Sequence, residues 1–371
     1  MTETIIIGAG PAGLAVAACL RRRGVSHVIL EREATIGSAW RRHYDRLHLH
    51  TAKSHSALPY LPFPGSVPTY PSRQEVVEYL DRYAQAFSIR PLLGRVVTRI
   101  RRDGGRWHVE AGSERHEAAC VVLATGLTRV PYVPTWPGIE HFQGLVCHSS
   151  SYRNGSALRG QRVLVVGIGN SGAEIAIDLH EHGALAMIAV RGAVNVVPRD
   201  FLGTPSQVTA LRLHRLPAPL RDAIGRLIAL IAFGDLTRLG LRVGGDGPAT
   251  RLEREGRVPV IDVGTIALIG SGSIRVAPGV ARFEPDGVVF VDGRREAFDA
   301  VILATGYRPR LDDFLEGGTG VLDSHGWPPG IEAPSLPGLY FLGLRPSPIG
   351  MLHQISLDAR RIADQVATVV R

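Results

Sequence analysis

The fold is decided by the stretch Thr4-Ile5-Ile6-Ile7-Gly8-Ala9-Gly10-Pro11-Ala12-Gly13, close to the start of this 371-residue chain. It predicts a short apolar strand, a Gly-x-Gly-x-x-Gly turn and a helix that begins at Pro11. Gly8 and Gly10 permit a tight turn and let backbone N–H groups approach a pyrophosphate, and Gly13 lets the helix pack closely on the strand. The stretch therefore predicts a dinucleotide-binding βαβ unit.

A second turn of the same pattern reads Gly167-Ile168-Gly169-Asn170-Ser171-Gly172. The strand after the first turn ends at Glu31, and the strand after the second turn ends at Arg191. A carboxylate accepts hydrogen bonds from ribose hydroxyls but repels a 2′-phosphate, which a guanidinium can pair with. The two turns therefore predict FAD at the first and NADPH at the second. An ordinary surface position in an arginine-rich chain is the alternative for Arg191.

Each turn is followed further along the chain by an apolar strand that ends in Ala-Thr-Gly. We predict an α/β fold with two Rossmann-like dinucleotide-binding domains, in which the NADP domain is inserted into the FAD domain. The expected boundaries are 1–150 for the first part of the FAD domain, 151–297 for the NADP domain, and 298–371 for the second part of the FAD domain. Cofactor contacts are expected from Thr125, Gly126, Thr305 and Gly306.

The composition argues against several classes of protein. The net charge of +8 comes from 42 basic residues, of which Lys53 is the one lysine, and the arginines are spread without a nucleic-acid motif. Apolar runs stay far below the roughly 20 residues that span a bilayer, so we expect no stable membrane insertion. The histidines lack metal-ligand spacing, and no metal site is expected. Three cysteines without a CxxC pair fit a reducing cytoplasm.

Two further regions stand out from the regular βα pattern. Residues 40–75 are rich in His, Pro and aromatic residues and predict a functional loop. Residues 210–239 predict an amphipathic helical region, for which packing in the core or along a substrate channel is favoured over contact with a membrane.

Between the two turns lies the run Phe142-Gln143-Gly144-Leu145-Val146-Cys147-His148-Ser149-Ser150-Ser151-Tyr152. It reads F-x-G-x-x-x-H-x-x-x-Y and resembles the fingerprint of the flavin-containing monooxygenases. The related Baeyer–Villiger enzymes end this motif with Trp, so Tyr152 departs from them. The resemblance implies that His148 is a linker and cofactor-positioning residue and not a proton-transfer catalyst.

A narrower resemblance, to the YUCCA branch of that family, covers roughly residues 4 to 365. The stretches that carry it include Gly37-Ser38-Ala39-Trp40, Tyr44-Asp45-Arg46-Leu47, Pro68-Thr69-Tyr70-Pro71, Val197-Pro198-Arg199 and Pro259-Val260-Ile261-Asp262-Val263-Gly264. The resemblance implies that Trp40 and Leu352 contact the flavin. It also implies catalytic positions for His50 and Lys53, because His50 aligns with an asparagine that amine-oxidising relatives place beside the flavin. The sequence departs from the branch over 243–257 and 345–357.

The resemblance implies an FAD-dependent NADPH monooxygenase that forms a C4a-(hydro)peroxyflavin and acts on a small molecule with O₂. The YUCCA branch implies oxidative decarboxylation of an aryl 2-oxo acid such as indole-3-pyruvate, and the basic residues of 40–55 are expected to attract its carboxylate. N- or S-oxygenation of a small amine or sulfide is an alternative, as is a non-catalytic NADP(H)-sensing flavoprotein. A disulfide reductase is disfavoured by the missing CxxC. The sequence does not decide whether the chain forms a homodimer.

Overall fold

The computed structural model describes residues 2–318, 320–324 and 326–370. Its strands, in chain order, are β1 (Thr4–Ile7), β2 (His27–Leu30), β3 (Val97–Asp103), β4 (Arg106–Ala111), β5 (Glu114–Ala118), β6 (Cys120–Leu123), β7 (Val130–Pro131), β8 (Leu145–His148), β9 (Arg162–Val166), β10 (Leu185–Val190), β11 (Val196–Pro198), β12 (Asp200–Phe201), β13 (Thr204–Pro205), β14 (Val260–Asp262), β15 (Arg275–Pro278), β16 (Val280–Glu284), β17 (Gly287–Phe290), β18 (Arg295–Ala297), β19 (Ala300–Leu303), β20 (Tyr307–Arg308) and β21 (Leu339–Phe341). Its α-helices are α1 (Pro11–Arg22), α2 (Ser38–Arg42), α3 (Arg73–Ala86), α4 (Asn170–Glu181), α5 (Ser206–Leu213), α6 (Ala218–Phe233), α7 (Pro248–Glu255), α8 (Thr265–Gly270) and α9 (Met351–Val369).

The chain divides into two compact units. The first unit comprises Met1–Arg41, Ala52–Val130 and Tyr307–Arg371, and the second comprises Arg42–Thr51 and Pro131–Gly306. The predicted α/β class with two Rossmann-like units is confirmed. The predicted boundaries at 150/151 and 297/298 differ from this division, in which residues 42–51, 131–150 and 298–306 group with the second unit.

The first unit is built on a four-stranded parallel sheet of order β2-β1-β6-β21. Ile7 at the end of β1 is in register with Leu30 of β2 and with Leu123 of β6. The carboxyl ends of these three strands therefore meet at one edge of the sheet, where parallel sheets bind their ligands. The antiparallel sheet β3-β4-β5 belongs to the same unit.

The second unit is built on a five-stranded parallel sheet of order β15-β10-β9-β19-β8. Alternate residues of β9 enter different hydrophobic clusters, with Val163 and Val165 in one and Leu164 and Val166 in the other. Both faces of this sheet are therefore buried, as is usual for parallel sheets. Strand β19 pairs with β9 and β8, so the apolar strand before the second Ala-Thr-Gly run belongs to this sheet. The chain returns to the first unit at Tyr307, directly after that run.

The region 210–239 differs from its prediction. It lies mainly in α5 and α6, and of the sixteen residues of α6, all within the described chain, Asp222 is the one that is buried. Several leucines of α6 point to solvent, so core packing is wrong for this helix. Phe233, Leu236 and Leu239, at the end of the region, do pack on a core cluster. Among the described residues, no helix combines the length and the apolar character needed to cross a bilayer.

Candidate functional site: two glycine turns and their neighbours

The first glycine turn needs glycine for reasons of space at two positions. Gly8 has φ +105°, and a Cβ there would lie 2.6 Å from the carbonyl oxygen of Ala124. A Cβ on Gly13 would overlap the carbonyl oxygen of Gly8, so α1 could not approach β1. A Cβ on Gly10 would meet no described atom within 4 Å. The turn is therefore closed on its protein side and open at Gly10, at the amino end of α1, where a pyrophosphate can approach the backbone.

Glu31 closes this turn from the end of β2. Its side chain is buried, and its two carboxylate oxygens accept hydrogen bonds from the backbone N–H of Ala9 at 2.6 Å and of Glu33 at 2.9 Å. The carboxylate thus fixes the loop and keeps lone pairs that can accept ribose hydroxyls. Thr125 follows shortly after the end of β6. Its hydroxyl is buried and has no hydrogen-bond partner among the described residues.

Three more segments of the first unit converge on the amino end of α1. The backbone N–H of Gly37 donates to the carbonyl of Ala9 at 3.0 Å, and α2, which contains Trp40, follows directly. A Cβ on Gly343 would lie 3.1 Å from the Cβ of Ala12. The chain continues from Gly343 into α9, which packs along α1 and buries Leu352 in its first turn. Gly126, with φ +78°, follows Thr125.

The second glycine turn repeats the first closely. Gly167 has φ +108°, and a Cβ there would lie 2.6 Å from the carbonyl oxygen of Ala304. A Cβ on Gly172 would overlap the carbonyl oxygen of Gly167, and one on Gly169 would meet no described atom within 4 Å. Ala304 therefore takes the place in this turn that Ala124 takes in the first. The second unit has its own opening for a pyrophosphate at the amino end of α4.

The side chains around the second turn differ in what they contact. Asn170 accepts a hydrogen bond from the backbone N–H of Ile261 at 2.7 Å, so its side chain supports the turn from β14. Arg191 is exposed directly after β10 and forms no ion pair with another described residue. The Thr305 hydroxyl donates to the carbonyl of Tyr132 at 2.5 Å. Ser171 begins α4 beside Asn170, and Gly306 follows Thr305. Arg191 is thus available to an anionic ligand.

The run 142–152 attaches to the second unit at four points. The Phe142 ring packs edge-on against Phe283, and a Cβ on Gly144 would lie 2.6 Å from the carbonyl oxygen of Asp299. His148 Nε2 donates to the carbonyl of Gly306 at 3.1 Å, while its Nδ1 accepts from the backbone N–H of Ser150. The Tyr152 hydroxyl donates to Asp178 on α4 at 2.5 Å. Each fixed position of the motif therefore makes a separate contact.

His148 is held in its neutral form. Its side chain is buried, and burial lowers the pKa of the imidazole, although the hydrogen bond to Gly306 opposes this shift. A neutral ring with hydrogen on Nε2 satisfies the hydrogen bonds to Gly306 and Ser150. His148 therefore links β8 to the Ala-Thr-Gly loop after β19, as a positioning residue.

A buried polar cluster lies on α4, and sequence reasoning missed its centre. Glu174 is almost fully buried, and its Oε1 accepts from His50 Nε2 at 2.6 Å and from the Tyr44 hydroxyl at 3.2 Å. Arg46 approaches its Oε2 at 3.7 Å and binds Glu181 through two contacts of 2.9 Å. Burial and the Glu174 carboxylate hold the pKa of the Tyr44 hydroxyl well above its usual value. The hydroxyl therefore stays protonated and acts as a hydrogen-bond donor to Glu174.

The cluster sets the tautomer of His50. A carboxylate accepts hydrogen bonds only, so the hydrogen shared with Glu174 sits on His50 Nε2. His50 Nδ1 makes no hydrogen bond to another described residue, and the side chain is 12% exposed. The pair therefore presents one basic nitrogen of known identity. Glu174 is 124 residues away in the chain, so the sequence carries no local signal for it.

Lys53 lies in the first unit, whereas His50 lies in the second. The Lys53 ammonium donates to the carbonyl of Gly65 at 2.9 Å and also to that of Val67, with Pro64 at 3.5 Å. The three donors of an ammonium are thus directed at one loop. These contacts give Lys53 the geometry of a residue that orders residues 64–67.

Part of the positive charge of segment 40–55 is paired within the protein. Arg41 pairs with Asp81 at 2.5 Å, and Arg46 pairs with the acids of α4 described above. His50 contacts the Glu174 carboxylate, whereas Lys53 donates to neutral carbonyls, which leave its positive charge uncompensated. The expectation that this segment attracts a substrate carboxylate stays a prediction, with fewer open charges than the sequence suggests.

Comparison with known proteins gives the family. A family model described as pyridine nucleotide-disulphide oxidoreductase matches residues 5–212. The indole-3-pyruvate monooxygenase YUCCA4 of Oryza sativa subsp. japonica is 41% identical, covering 98% of this chain and 86% of its own. YUCCA6 of Arabidopsis thaliana, with the same activity in its name, is 40% identical over 99% and 90%. The chain belongs to the YUCCA branch of the flavin-containing monooxygenases.

The solved structures agree with this assignment. A variant of a flavin monooxygenase from Stenotrophomonas maltophilia is 28% identical, covers 100% of this chain and 99% of its own, and superposes with a TM-score of 0.78. The resemblance read from the sequence is confirmed, as are the α/β fold and the monooxygenase class. This YUCCA-like chain is an oxidoreductase and a flavoprotein by family.

Proposed function

We propose that this chain is an NADPH-dependent FAD monooxygenase that converts an aryl 2-oxo acid to the acid one carbon shorter, with indole-3-pyruvate as the leading candidate. One observation carries the proposal. The chain builds the same glycine turn twice, with a buried carboxylate beside one and, beside the other, an exposed guanidinium that pairs with no described acid. Such a pair of turns distinguishes two different dinucleotides.

The first turn fits FAD. A flavin dinucleotide would extend its pyrophosphate across Gly8, Gly10 and Gly13, where the backbone leaves open space at Gly10. Glu31 would hold the ribose, and the buried, unpartnered Thr125 hydroxyl supplies a polar atom that a ligand can satisfy. Trp40, Gly126 and Leu352 belong to segments that meet the amino end of α1, directly or through Gly343.

The second turn fits NADPH. Gly167, Gly169 and Gly172 would admit the pyrophosphate at the amino end of α4, and Arg191 would pair with the 2′-phosphate. Asn170 and Ser171 begin the helix whose N–H groups face that anion. His148 would keep Thr305 and Gly306 in place through its bond to the Gly306 carbonyl.

Together the two cofactors, when bound, supply hydride transfer and the activation of O₂. The overall reaction consumes the 2-oxo acid, O₂, NADPH and one proton, and it yields the shortened acid, CO₂, NADP⁺ and water. The protein's own contribution is to bind, orient and keep water out. We assign to His50 Nδ1 the acceptance of a hydrogen bond from NADP⁺ or substrate, because the ring hydrogen lies on Nε2. Glu174 is then a positioning residue, because it fixes the hydrogen on Nε2.

The substrate class is supported by the names of the relatives, which are indole-3-pyruvate monooxygenases. In the 40–55 segment Arg41 and Arg46 are paired with acids, whereas the Lys53 ammonium, bound to neutral carbonyls, keeps its positive charge. Lys53 enters the proposal as a residue that orders the loop 64–67. The three free cysteines support a reducing compartment such as the cytoplasm.

The deciding experiment incubates purified protein with FAD, NADPH, ¹⁸O₂ and a panel of aryl pyruvates, amines and sulfides. We expect one labelled oxygen in the shortened acid and NADPH oxidation that rises with the 2-oxo acid. Labelled amine or sulfide products with unlabelled or absent short acids would give the function to heteroatom oxygenation. NADPH oxidation that no substrate stimulates would identify a sensing flavoprotein.

A further inference from the structure

Helix α6 presents an apolar face to solvent. Leu220, Leu227, Leu230 and Ile231 are between 48% and 63% exposed, and they recur along one side of the helix. Apolar side chains exposed singly are ordinary, but a row of four on one helix is a feature that marks an interaction site. We call these four residues the α6 apolar face.

The orientation of α6 is set by its opposite side. Asp222 is buried, and its Oδ1 accepts from the backbone N–H of Ala249 at 2.7 Å, in the first turn of α7. A Cβ on Gly225 would lie 3.3 Å from Pro248, so the two helices meet at a glycine. Arg221 forms an ion pair with Glu253. Polar and small residues therefore hold this side of the helix against α7. A rotation that buried the leucines would break the hydrogen bonds of the Asp222 carboxylate.

The chain around α6 is strongly basic. Residues 206–242 contain six arginines against two aspartates, and neither glutamate nor lysine. One of the aspartates is the buried Asp222, whose carboxylate is used inside the protein. Arg212, Arg215 and Arg242 are exposed and form no ion pair with any residue that the structure describes. The segments that flank the α6 apolar face in sequence therefore carry open positive charge.

We propose that the α6 apolar face docks on the anionic surface of a lipid bilayer. Leucine and isoleucine side chains would enter the boundary between headgroups and acyl chains, and the arginines would meet lipid phosphates. The helix has sixteen residues, about 24 Å at 1.5 Å per residue, which suits lying on a bilayer and is too short for crossing one. This inference does not depend on the proposed reaction.

A second copy of the chain fits this face less well. In a two-fold dimer through α6, the same patch meets itself, so the unpaired arginines of both copies would be brought together. Like charges placed across an interface disfavour association. The phosphates of an anionic bilayer supply the opposite charge.

Vesicle flotation tests the proposal. Wild-type protein loaded with FAD is expected to float with vesicles of phosphatidylcholine mixed with phosphatidylglycerol, to stay unbound with phosphatidylcholine alone, and to be released by salt. The double variant Leu227→Gln/Ile231→Gln should lower the bound fraction about ten-fold. Leu185→Gln is the matched control, since Leu185 is 63% exposed at the start of β10.

The charge contribution has its own variants. Arg212→Gln/Arg215→Gln should weaken binding to the mixed vesicles about ten-fold. Arg275→Gln/Arg282→Gln, which removes two exposed arginines that pair with Glu296 and Glu284, should leave it unchanged. All four variants should keep the thermal midpoint and the NADPH oxidation of wild type, because the altered side chains lie on the surface.

Two results would overturn the proposal. The first is wild-type protein that fails to bind mixed vesicles at low salt, or a Leu227→Gln/Ile231→Gln variant that binds them as wild type does. The second comes from size-exclusion chromatography with light scattering. A wild-type dimer that this variant converts to monomer, with no vesicle binding by either, would make the face a homodimer interface.

Discussion

The two glycine turns share one backbone geometry and differ in the side chain beside it. Gly8 and Gly167 have φ values of +105° and +108°, and a Cβ on either would lie 2.6 Å from an alanine carbonyl. The first turn is closed by the buried Glu31, and the second is followed by the exposed Arg191. The comparison teaches that the backbone decides where a pyrophosphate can bind, whereas one residue at the strand end decides which nucleotide follows.

The Ala-Thr-Gly loops extend the same comparison. Thr305 donates its hydroxyl hydrogen to the Tyr132 carbonyl, while the buried Thr125 hydroxyl has no partner in the described chain. A buried hydroxyl without a partner carries a free-energy cost that a ligand can remove. Ligand binding is therefore expected to lower the free energy of the first turn more than that of the second. This fits a flavin that stays bound at the first turn and a nicotinamide cofactor that exchanges at the second.

The largest effects are expected from variants that block one glycine turn at a time. Gly10→Val should lower flavin affinity at least about 100-fold, or about 2.7 kcal/mol, because the side chain fills the space that the pyrophosphate needs. Gly169→Val should keep the flavin and lose NADPH binding to a similar degree. The measurements are flavin absorbance per chain and NADPH titration.

Both valine variants should unfold cooperatively near the wild-type temperature, since a Cβ at either position meets no described atom within 4 Å. Gly13→Ala and Gly172→Ala are the contrast, because their Cβ atoms would overlap a carbonyl oxygen and should destabilise the fold by about 3 kcal/mol or more. Yellow Gly10→Val protein with wild-type flavin content would show that FAD does not bind at this turn.

The next effect concerns the charge beside the second turn. Arg191→Ala should reduce the preference for NADPH over NADH about 10- to 150-fold, mainly through KM for NADPH, because a charge-assisted pair with the 2′-phosphate contributes about 1.5–3 kcal/mol. Steady-state kinetics with both cofactors measure it. Arg282→Ala, an exposed arginine of the same unit, is the control. Equal use of NADH and NADPH by wild type would refute the role of Arg191.

A smaller effect separates positioning from chemistry in the α4 cluster. Glu174→Gln should reduce product formation about ten-fold, since a neutral amide no longer fixes the hydrogen on His50 Nε2. It should add little to His50→Ala, because both changes remove the same interaction. The pH profile of product yield should also shift in Glu174→Gln and stay unchanged in Glu181→Gln, which alters a half-exposed acid of the same helix. Additive losses in the double variant would contradict the pairing.

The smallest effect is a pH dependence of stability. Burial lowers the pKa of His148 in the folded protein, so below the unfolded value of about 6.5 the unfolded chain binds the proton more readily. Stability from this group is thus complete above pH 6.5 and falls as the pH drops, by at most about 1.4 kcal/mol per pH unit. His148→Gln should flatten the urea-unfolding free energy between pH 7.5 and 5.5. A slope identical to wild type would assign the dependence elsewhere, for example to His27 or His353, whose pKa values are also lowered.

Local backbone requirements explain what the sequence could predict. The glycine turns, their helices and the Ala-Thr-Gly strands follow from spacing over a few residues, and α1 begins at Pro11 as predicted. The grouping of 42–51 and 298–306 with the second unit depends on pairing between distant strands and on the contact of His50 with Glu174. The outward orientation of the α6 leucines could not be predicted, because an apolar stripe shows a face but not which side packs, and the anchor, Asp222, finds its partner in α7.

The single lysine has a practical consequence for spectroscopy. Lys53 is the one lysine among 371 residues, and its ammonium binds carbonyls of the loop 64–67. Protein grown on ¹⁵N-labelled lysine would therefore carry isotope at one residue, giving one amide and one ammonium resonance. Hydrogen bonds to carbonyls slow the exchange of ammonium protons with water, which keeps that signal observable. A single magnetic label inside the first unit thus comes with the wild-type sequence, without any engineered probe.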